Sequence, residues 1–364
     1  MAICPNPLPR PPAADRILVI RLGAIGDVVR TLPAAAALRA AYPGAHLAWL
    51  VEPASQSVLA GQPWIDEVIA FPRRALQTSL RRGHGVSLAR QLVRFLGTLR
   101  RRRFDLAVDF HGIGRSALLA LASGAPGRVG YAPPFGREGS WWLATAQARL
   151  APRRMPRFAR NLALVEFLGV VPTASRPFPL RVGAEARRRA AGLLGSASPV
   201  VLHPGTSATT PHKRWPPSGY AALARALAAR GLPVLVSFGP VAGERALAET
   251  VVRTSGGAAS LAPDTAGLDD LAALFERCRL FVGSDSGPLH VASLVGTPVV
   301  QLLGPTDPTE NAPYPGTPAR TVRVPVACSP CRRGCAAAIC MRRIAPEAVL
   351  AAAGELLATT GRGW

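Results

Sequence analysis

The sequence predicts an α/β chain of two domains built on parallel sheets. Three observations predict this. The chain has 364 residues, more than the roughly 100–200 of one domain. Short apolar runs rich in Val, Ile and Leu alternate with Ala/Leu/Arg stretches of helical period. The apolar runs are continuous, which marks strands buried on both faces of a parallel sheet. With 49% hydrophobic and 18% charged residues, the chain is neither disordered nor a coiled coil. No uncharged apolar run reaches the ~18–20 residues that span a bilayer.

Residues 1–15 lack the apolar core of a secretory signal and read as a disordered arm. Strands are expected at 17–22, 46–51, 68–71, 104–110 and 128–131, making a first domain over 16–175. The Pro-rich stretch 171–179 is the linker candidate. In the second domain, 180–345, strands are expected at 200–203, 233–238, 280–283 and 298–303, with helices at 217–230 and 269–277. A last helix, 346–358 within a segment 346–364, opens with Pro346 and Glu347, both normal in a first turn.

The segment ILVIRLGAIGDVVRTLP runs from a strand through Gly23 and Gly26 into a helix that carries Asp27 near its start. Glycines permit a tight turn and close approach of a ligand. Asp27 reads either as an N-cap or as a carboxylate at the C-terminal sheet edge, where α/β proteins bind ligands. The turn lacks Gly-x-Gly-x-x-Gly, which argues against a nicotinamide or flavin oxidoreductase. Pro33 suggests a kink.

Three polar turns each follow an expected strand of the second domain. VVLHPGTSATTPHKRW ends in small hydroxyl residues and Lys213, the single lysine of the chain. LFVGSDSGPLHVA places Asp285, Ser286 and Gly287 before a helix, whose N-terminus suits an anion. LGPTDP is the third. If the strands are parallel, all three turns share one edge and suit a nucleotide diphosphate, with backbone N–H groups and an ammonium on the phosphates. His290 reads either as a ligand contact or as a core histidine.

These elements, RLGAIGDVVRTLPA, HPGTSATTPHKRWP, GSDSGPLHVA and GPTDP, occur in an order that resembles the bacterial lipopolysaccharide heptosyltransferase family, glycosyltransferase family 9. The resemblance implies the GT-B arrangement of two Rossmann-like domains facing across a cleft. It implies inverting transfer of L-glycero-D-manno-heptose from an ADP-sugar donor to an anionic, lipid-linked saccharide of the lipopolysaccharide inner core. Another nucleotide sugar or acceptor is the alternative. Asp27 matches the general base. Thr206, Ser207, Lys213, Glu244, Asp285, Ser286, Gly287 and His290 match the donor site. Arg73, Arg74, Arg115 and Arg137 match the acceptor side, where guanidinium suits carboxylates and phosphates. Arg30 stands where the family often has histidine, and 81–85 reads as an insertion. A lysine and a helix N-terminus carry leaving-group charge, so no cofactor is required for catalysis.

Lys+Arg is 43 against 21 Asp+Glu, for a net charge of +22. Ten arginines and no acid lie between Glu67 and Asp105. Such a field attracts phosphates, lipid or nucleic acid, but the arginines are not interleaved with aromatics, which argues against nucleic acid. The expected location is cytoplasmic, peripheral to the inner face of the cytoplasmic membrane, with contact to anionic lipid. Leu88, Leu92, Phe95, Leu96 and Leu99 form a helical stripe that packs on its own sheet or faces that surface.

Four of six cysteines, Cys328, Cys331, Cys335 and Cys340, form C-x2-C-x3-C-x4-C. In a cytosolic protein this reads as a structural Zn or Fe site, as free thiols or as disulfides. Cys278 lies in a helical apolar pattern and reads as core.

Overall fold

A computed structural model describes residues 4–170, 180–239, 243–331 and 334–362. The linker candidate 171–179 lies outside them. The chain divides into two compact units, Met1–Arg176 and Pro177–Trp364.

In the first unit the order is β1 (Arg16–Ile20), α1 (Ile25–Ala41), β2 (His46–Val51), β3 (Glu67–Ala70), α2 (Arg73–Arg81), α3 (Gly85–Arg100), β4 (Leu106–Asp109), α4 (Gly114–Ala122), β5 (Gly127–Tyr131), β6 (Ala146–Ala148) and α5 (Arg157–Phe167). The sheet order is β3-β2-β1-β4-β5-β6, with every described pairing parallel. Right-handed crossovers put the connections that move toward β6 on one face. These are α2 with α3, then α4, then a 3-10 turn at Ser140–Leu143. Leu76, Leu99, Leu119 and Ala120 seal that face against Leu18, Ile20 and Leu50, and Leu88, Leu92, Phe95 and Leu96 pack on the same cluster. The α3 stripe therefore packs on its own sheet. On the other face α1 packs against α5. Helix α1 runs through Pro33 without interruption. The stretch 81–85 is the turn between α2 and α3.

The N-terminal arm departs from expectation. Leu8 N–H donates to the Phe167 carbonyl (2.7 Å), Asn6 bridges Gln147 and Arg149, and Cys4 is buried. Residues 4–15 are thus tied to the unit rather than disordered, because their backbone and amide groups find partners on it.

The second unit runs α6 (Ala184–Leu194), β7 (Val200–His203), α7 (Pro217–Ala228), β8 (Val234–Val236), α8 (Glu244–Thr254), β9 (Ser260–Leu261), α9 (Leu268–Glu276), β10 (Leu280–Ser284), α10 (Gly287–Leu294), β11 (Val299–Leu302), β12 (Ala319–Val322), α11 (Ile339–Arg342) and α12 (Pro346–Thr359). Its sheet order is β12-β11-β10-β7-β8-β9, again parallel. Trp215, Tyr220, Leu223 and Leu227 join Val349, Leu356 and Leu357 in one core, so α12 belongs to this unit. Each unit is a Rossmann-like α/β layer structure. Among the described residues no helix is long and apolar enough to cross a membrane.

Candidate active site

Because β7, β10 and β11 are parallel neighbours, the turns after them emerge at the same sheet edge. The structure brings the three polar turns of the second unit together there. Lys213 Nζ lies 2.8 Å from Asp285 Oδ2, and Asp285 Oδ1 lies 3.3 Å from His290 Nε2. Asp285 therefore joins the lysine to a fully buried imidazole. Ser286 is the N-cap of α10 and Gly287 its first residue. The hydroxyls of Ser286 and Thr306 are buried with no hydrogen-bond partner among the described residues.

Thr206 is buried, and its hydroxyl donates to the Thr210 carbonyl at 3.0 Å. Arg214 donates to that hydroxyl and to the Thr206 carbonyl, both at 3.1 Å. Thr206 is thus a brace for the loop, and Ser207 is an exposed residue bonded to Thr209. Arg214 escaped the sequence reading because one arginine among 42 carries no signal. Glu244 opens α8 and accepts from Gly239 N–H at 2.7 Å. A Cβ on Gly205 would lie 2.7 Å from its carboxyl carbon, so the loop's glycine makes room for this acid. Burial pushes the Glu244 carboxyl up, against Gly239 N–H and Arg214.

In the first unit Asp27 is not a cap. Ala24 is the N-cap of α1, and Asp27 sits in the first turn. Its carboxylate meets three guanidinium groups: Arg21 at 2.7 Å, Arg157 at 2.8 Å and Arg30 at 3.2 Å. Burial alone would raise its pKa, but Arg21, Arg157 and Arg30 together hold it far below the usual carboxylate range.

Beside this cage, Asp109 at the end of β4 accepts from His111 N–H (2.9 Å), Gly112 N–H (3.1 Å) and Ser116 Oγ (2.7 Å). It shapes the loop that carries His111 and Arg115. Burial pushes Asp109 up to about 6 despite those donors and Arg21. His111 accepts from Leu22 N–H through Nδ1 at 3.3 Å, which places its proton on Nε2. Burial, then Arg21, with Arg115 and Arg137, pulls His111 down to about 3.

The expected acceptor arginines divide. Glu52, missed in the sequence, lies 3.0 Å from Arg73 and 3.7 Å from Arg115 and gathers them at the edge beyond β2. The backbone N–H of Arg137 donates to the Gly112 carbonyl at 2.9 Å, and its guanidinium acts on His111. Arg74 is exposed on α2 and is not brought to these groups by any described contact.

The described residues do not support the four-cysteine metal site. Among the described residues no three His, Cys, Asp or Glu side chains are grouped to hold a metal ion. Cys340 is buried in α11, whereas Cys328 and Cys335 are exposed. All six cysteines, including the buried Cys278, are free thiols.

Comparison with known proteins bears on this arrangement. The family described as glycosyltransferase family 9 (heptosyltransferase) matches residues 92–339. The chain belongs to this family. It is therefore a glycosyltransferase, and its two parallel-sheet units are those of the GT-B fold class. It is 28% identical over 335 residues to lipopolysaccharide heptosyltransferase 2 of Escherichia coli, covering 88% of this chain and 92% of that one. It is 25% identical over 305 residues to lipopolysaccharide core heptosyltransferase OpsX of Haemophilus influenzae, covering 83% and 82%. The solved E. coli heptosyltransferase WaaC with ADP-2-deoxy-2-fluoro heptose superposes with a TM-score of 0.74 at 20% identity, covering 93% of this chain and 99% of that one.

Proposed function

We propose that this enzyme transfers L-glycero-D-manno-heptose from its ADP-sugar to an anionic, lipid-linked saccharide of the lipopolysaccharide inner core. It works at the inner face of the cytoplasmic membrane, with inversion at the sugar. The observation that carries this reading is the Lys213–Asp285–His290 chain beside the α10 N-terminus. It is an anion site with a single ammonium, in a chain of the heptosyltransferase family.

The donor diphosphate lies on the N-terminus of α10, the Ser286 and Thr306 hydroxyls and Lys213, with Glu244 toward the ribose. The acceptor hydroxyl oxygen attacks the anomeric carbon as the carbon–oxygen bond to the diphosphate breaks. The electron pair leaves with ADP, and Lys213 and the helix N-terminus stabilise its charge. The acceptor proton passes to Asp27, the general base. In its cage Asp27 is a poor base. Anionic groups of the acceptor that draw on Arg157, 30% exposed against 5% for Arg21, raise its basicity as substrate arrives. No cofactor is needed for these steps.

The test offers the purified chain a panel of ADP- and UDP-sugars with heptose-free lipopolysaccharide. Transfer from ADP-heptose is expected. Transfer from a UDP-sugar in its place, or no affinity for ADP by calorimetry, overturns the reading.

A further inference from the structure

We infer that the helical layer of the first unit formed by α2, α3, α4 and the 3-10 turn at Ser140–Leu143 is a docking face for an anionic lipid bilayer. Packing and charge carry this. Helix α3 uses one stripe, Leu88 to Leu99, on the core. The opposite stripe, Val86, Arg90, Val93, Gly97 and Arg101, recurs at helical spacing. Val86 is 69% and Val93 71% exposed. The Arg101 guanidinium lies over the position a Gly97 side chain would take.

The rest of the layer repeats the pattern. Leu80 on α2, Leu118 and Leu121 on α4 and Trp142 in the 3-10 turn are all exposed, Trp142 by 78%. Among the described residues, the other large exposed apolar side chains are Leu193 and Ile339, both in the second unit. The first unit's six thus lie on one layer, whose members follow one another across the sheet.

The charge is one-sided. Arg81, Arg82, Arg90, Arg94 and Arg101 are exposed and make no ion pair among the described residues, whereas Arg102 and Arg73 are held by Glu67 and Glu52. The layer's nearby acid, Glu138, is turned onto Gly114 N–H at 3.3 Å. Isolated apolar side chains set among unpaired arginines, with an exposed tryptophan, match an interface in which guanidinium meets headgroup phosphate and short apolar groups enter below it. A polyanion in water has no apolar layer to receive Val86, Val93 and Trp142. The choice of a bilayer rests on the proposed lipid-linked acceptor, but the face is identified without it.

Sedimentation of the full chain with vesicles decides this. One set is phosphatidylcholine alone and the other contains one-third phosphatidylglycerol. Preference for the anionic set, lost at high salt, is expected. Arg90→Gln with Arg94→Gln should weaken binding about twenty-five-fold, taking roughly fivefold per basic residue near an anionic surface. Val86→Ser with Val93→Ser and Trp142→Ser should weaken it at least tenfold while charge is unchanged. ADP affinity by calorimetry, a readout of the second unit, should stay unchanged in both variants, so failure of docking and failure of the donor reading are distinguishable. Equal binding to both vesicle types, or no loss in the apolar variant, overturns the inference. Binding of random DNA but not vesicles assigns the arginines to nucleic acid and overturns it as well.

Discussion

Lys213 and Asp285, 72 residues apart in sequence, meet at 2.8 Å, so the only lysine of the chain is held at the mouth of α10 by a buried carboxylate. Lys213→Ala removes the ammonium and leaves Asp285 facing the donor phosphates. Donor affinity should fall by about 1.5–3 kcal/mol, the range for a charge-assisted hydrogen bond, or roughly ten- to a hundredfold. Calorimetry with ADP reads this directly. Lys213→Arg keeps the charge but not the compact shape. Affinity equal to wild type in that variant would show that charge alone is used.

Asp27→Asn should lower turnover by roughly 10²–10⁴, the usual contribution of a general base. It should also destabilise the fold, because Arg21 and Arg30, each 5% exposed, would lose their counter-charge. The cost of breaking a buried ion pair is about 3–5 kcal/mol. Turnover lost at a temperature where circular dichroism and the melting transition show the variant still folded separates loss of chemistry from loss of structure.

Arg157→Gln tests the cage. Removing one of the three guanidinium groups raises the Asp27 pKa toward the ordinary value. The acid limb of the kcat/KM profile should move to higher pH while the basic limb stays in place. A profile that does not shift would mean that Asp27 does not titrate in the reaction.

Asp27 and Asp109 work against each other with pH. The folded-state pKa of Asp27 is depressed. Its contribution is present above the unfolded carboxylate pKa and is lost on acidification. That of Asp109 is raised to about 6, so the folded chain holds a proton that the unfolded chain has released. Between about pH 4 and 6 its contribution falls as pH rises, by on the order of 3 kcal/mol in all. Asp109→Asn keeps the acceptor for His111 and Gly112 and the contact with Ser116. Urea unfolding at pH 4.5 and 7 should show a smaller loss of stability on the alkaline side in this variant than in wild type.

Gly205→Ala should lower donor affinity several-fold, since its Cβ would meet the Glu244 carboxyl at 2.7 Å and push the acid from its place. Glu244→Gln, which keeps the volume, should retain the loop. Calorimetry on the two variants distinguishes crowding from loss of charge.

Central strands were legible because burial on both faces leaves a continuous apolar run, as at Leu280–Ser284. The strands Ala146–Ala148, Ser260–Leu261 and Ala319–Val322 were not. They lie at sheet edges and are short or half-exposed, as in ARTV, so two-sided burial does not write their sequence. At the site, turns that follow strands announced Lys213, Asp285 and His290. The partners of Asp27 were hidden, since Arg157 lies 130 residues away in an arginine-rich chain where no single guanidinium stands out. The cysteine spacing suggested a metal site, but among the described residues no three such side chains are grouped to hold a metal ion.

Having a single ε-amine has a practical consequence. Apart from the α-amino group, every amine-directed reagent has one side-chain target, Lys213, and the reaction must compete with its contact to Asp285. Label uptake at this position therefore reports, without any substitution, how open the mouth of α10 is, and a nucleotide seated there should shield it.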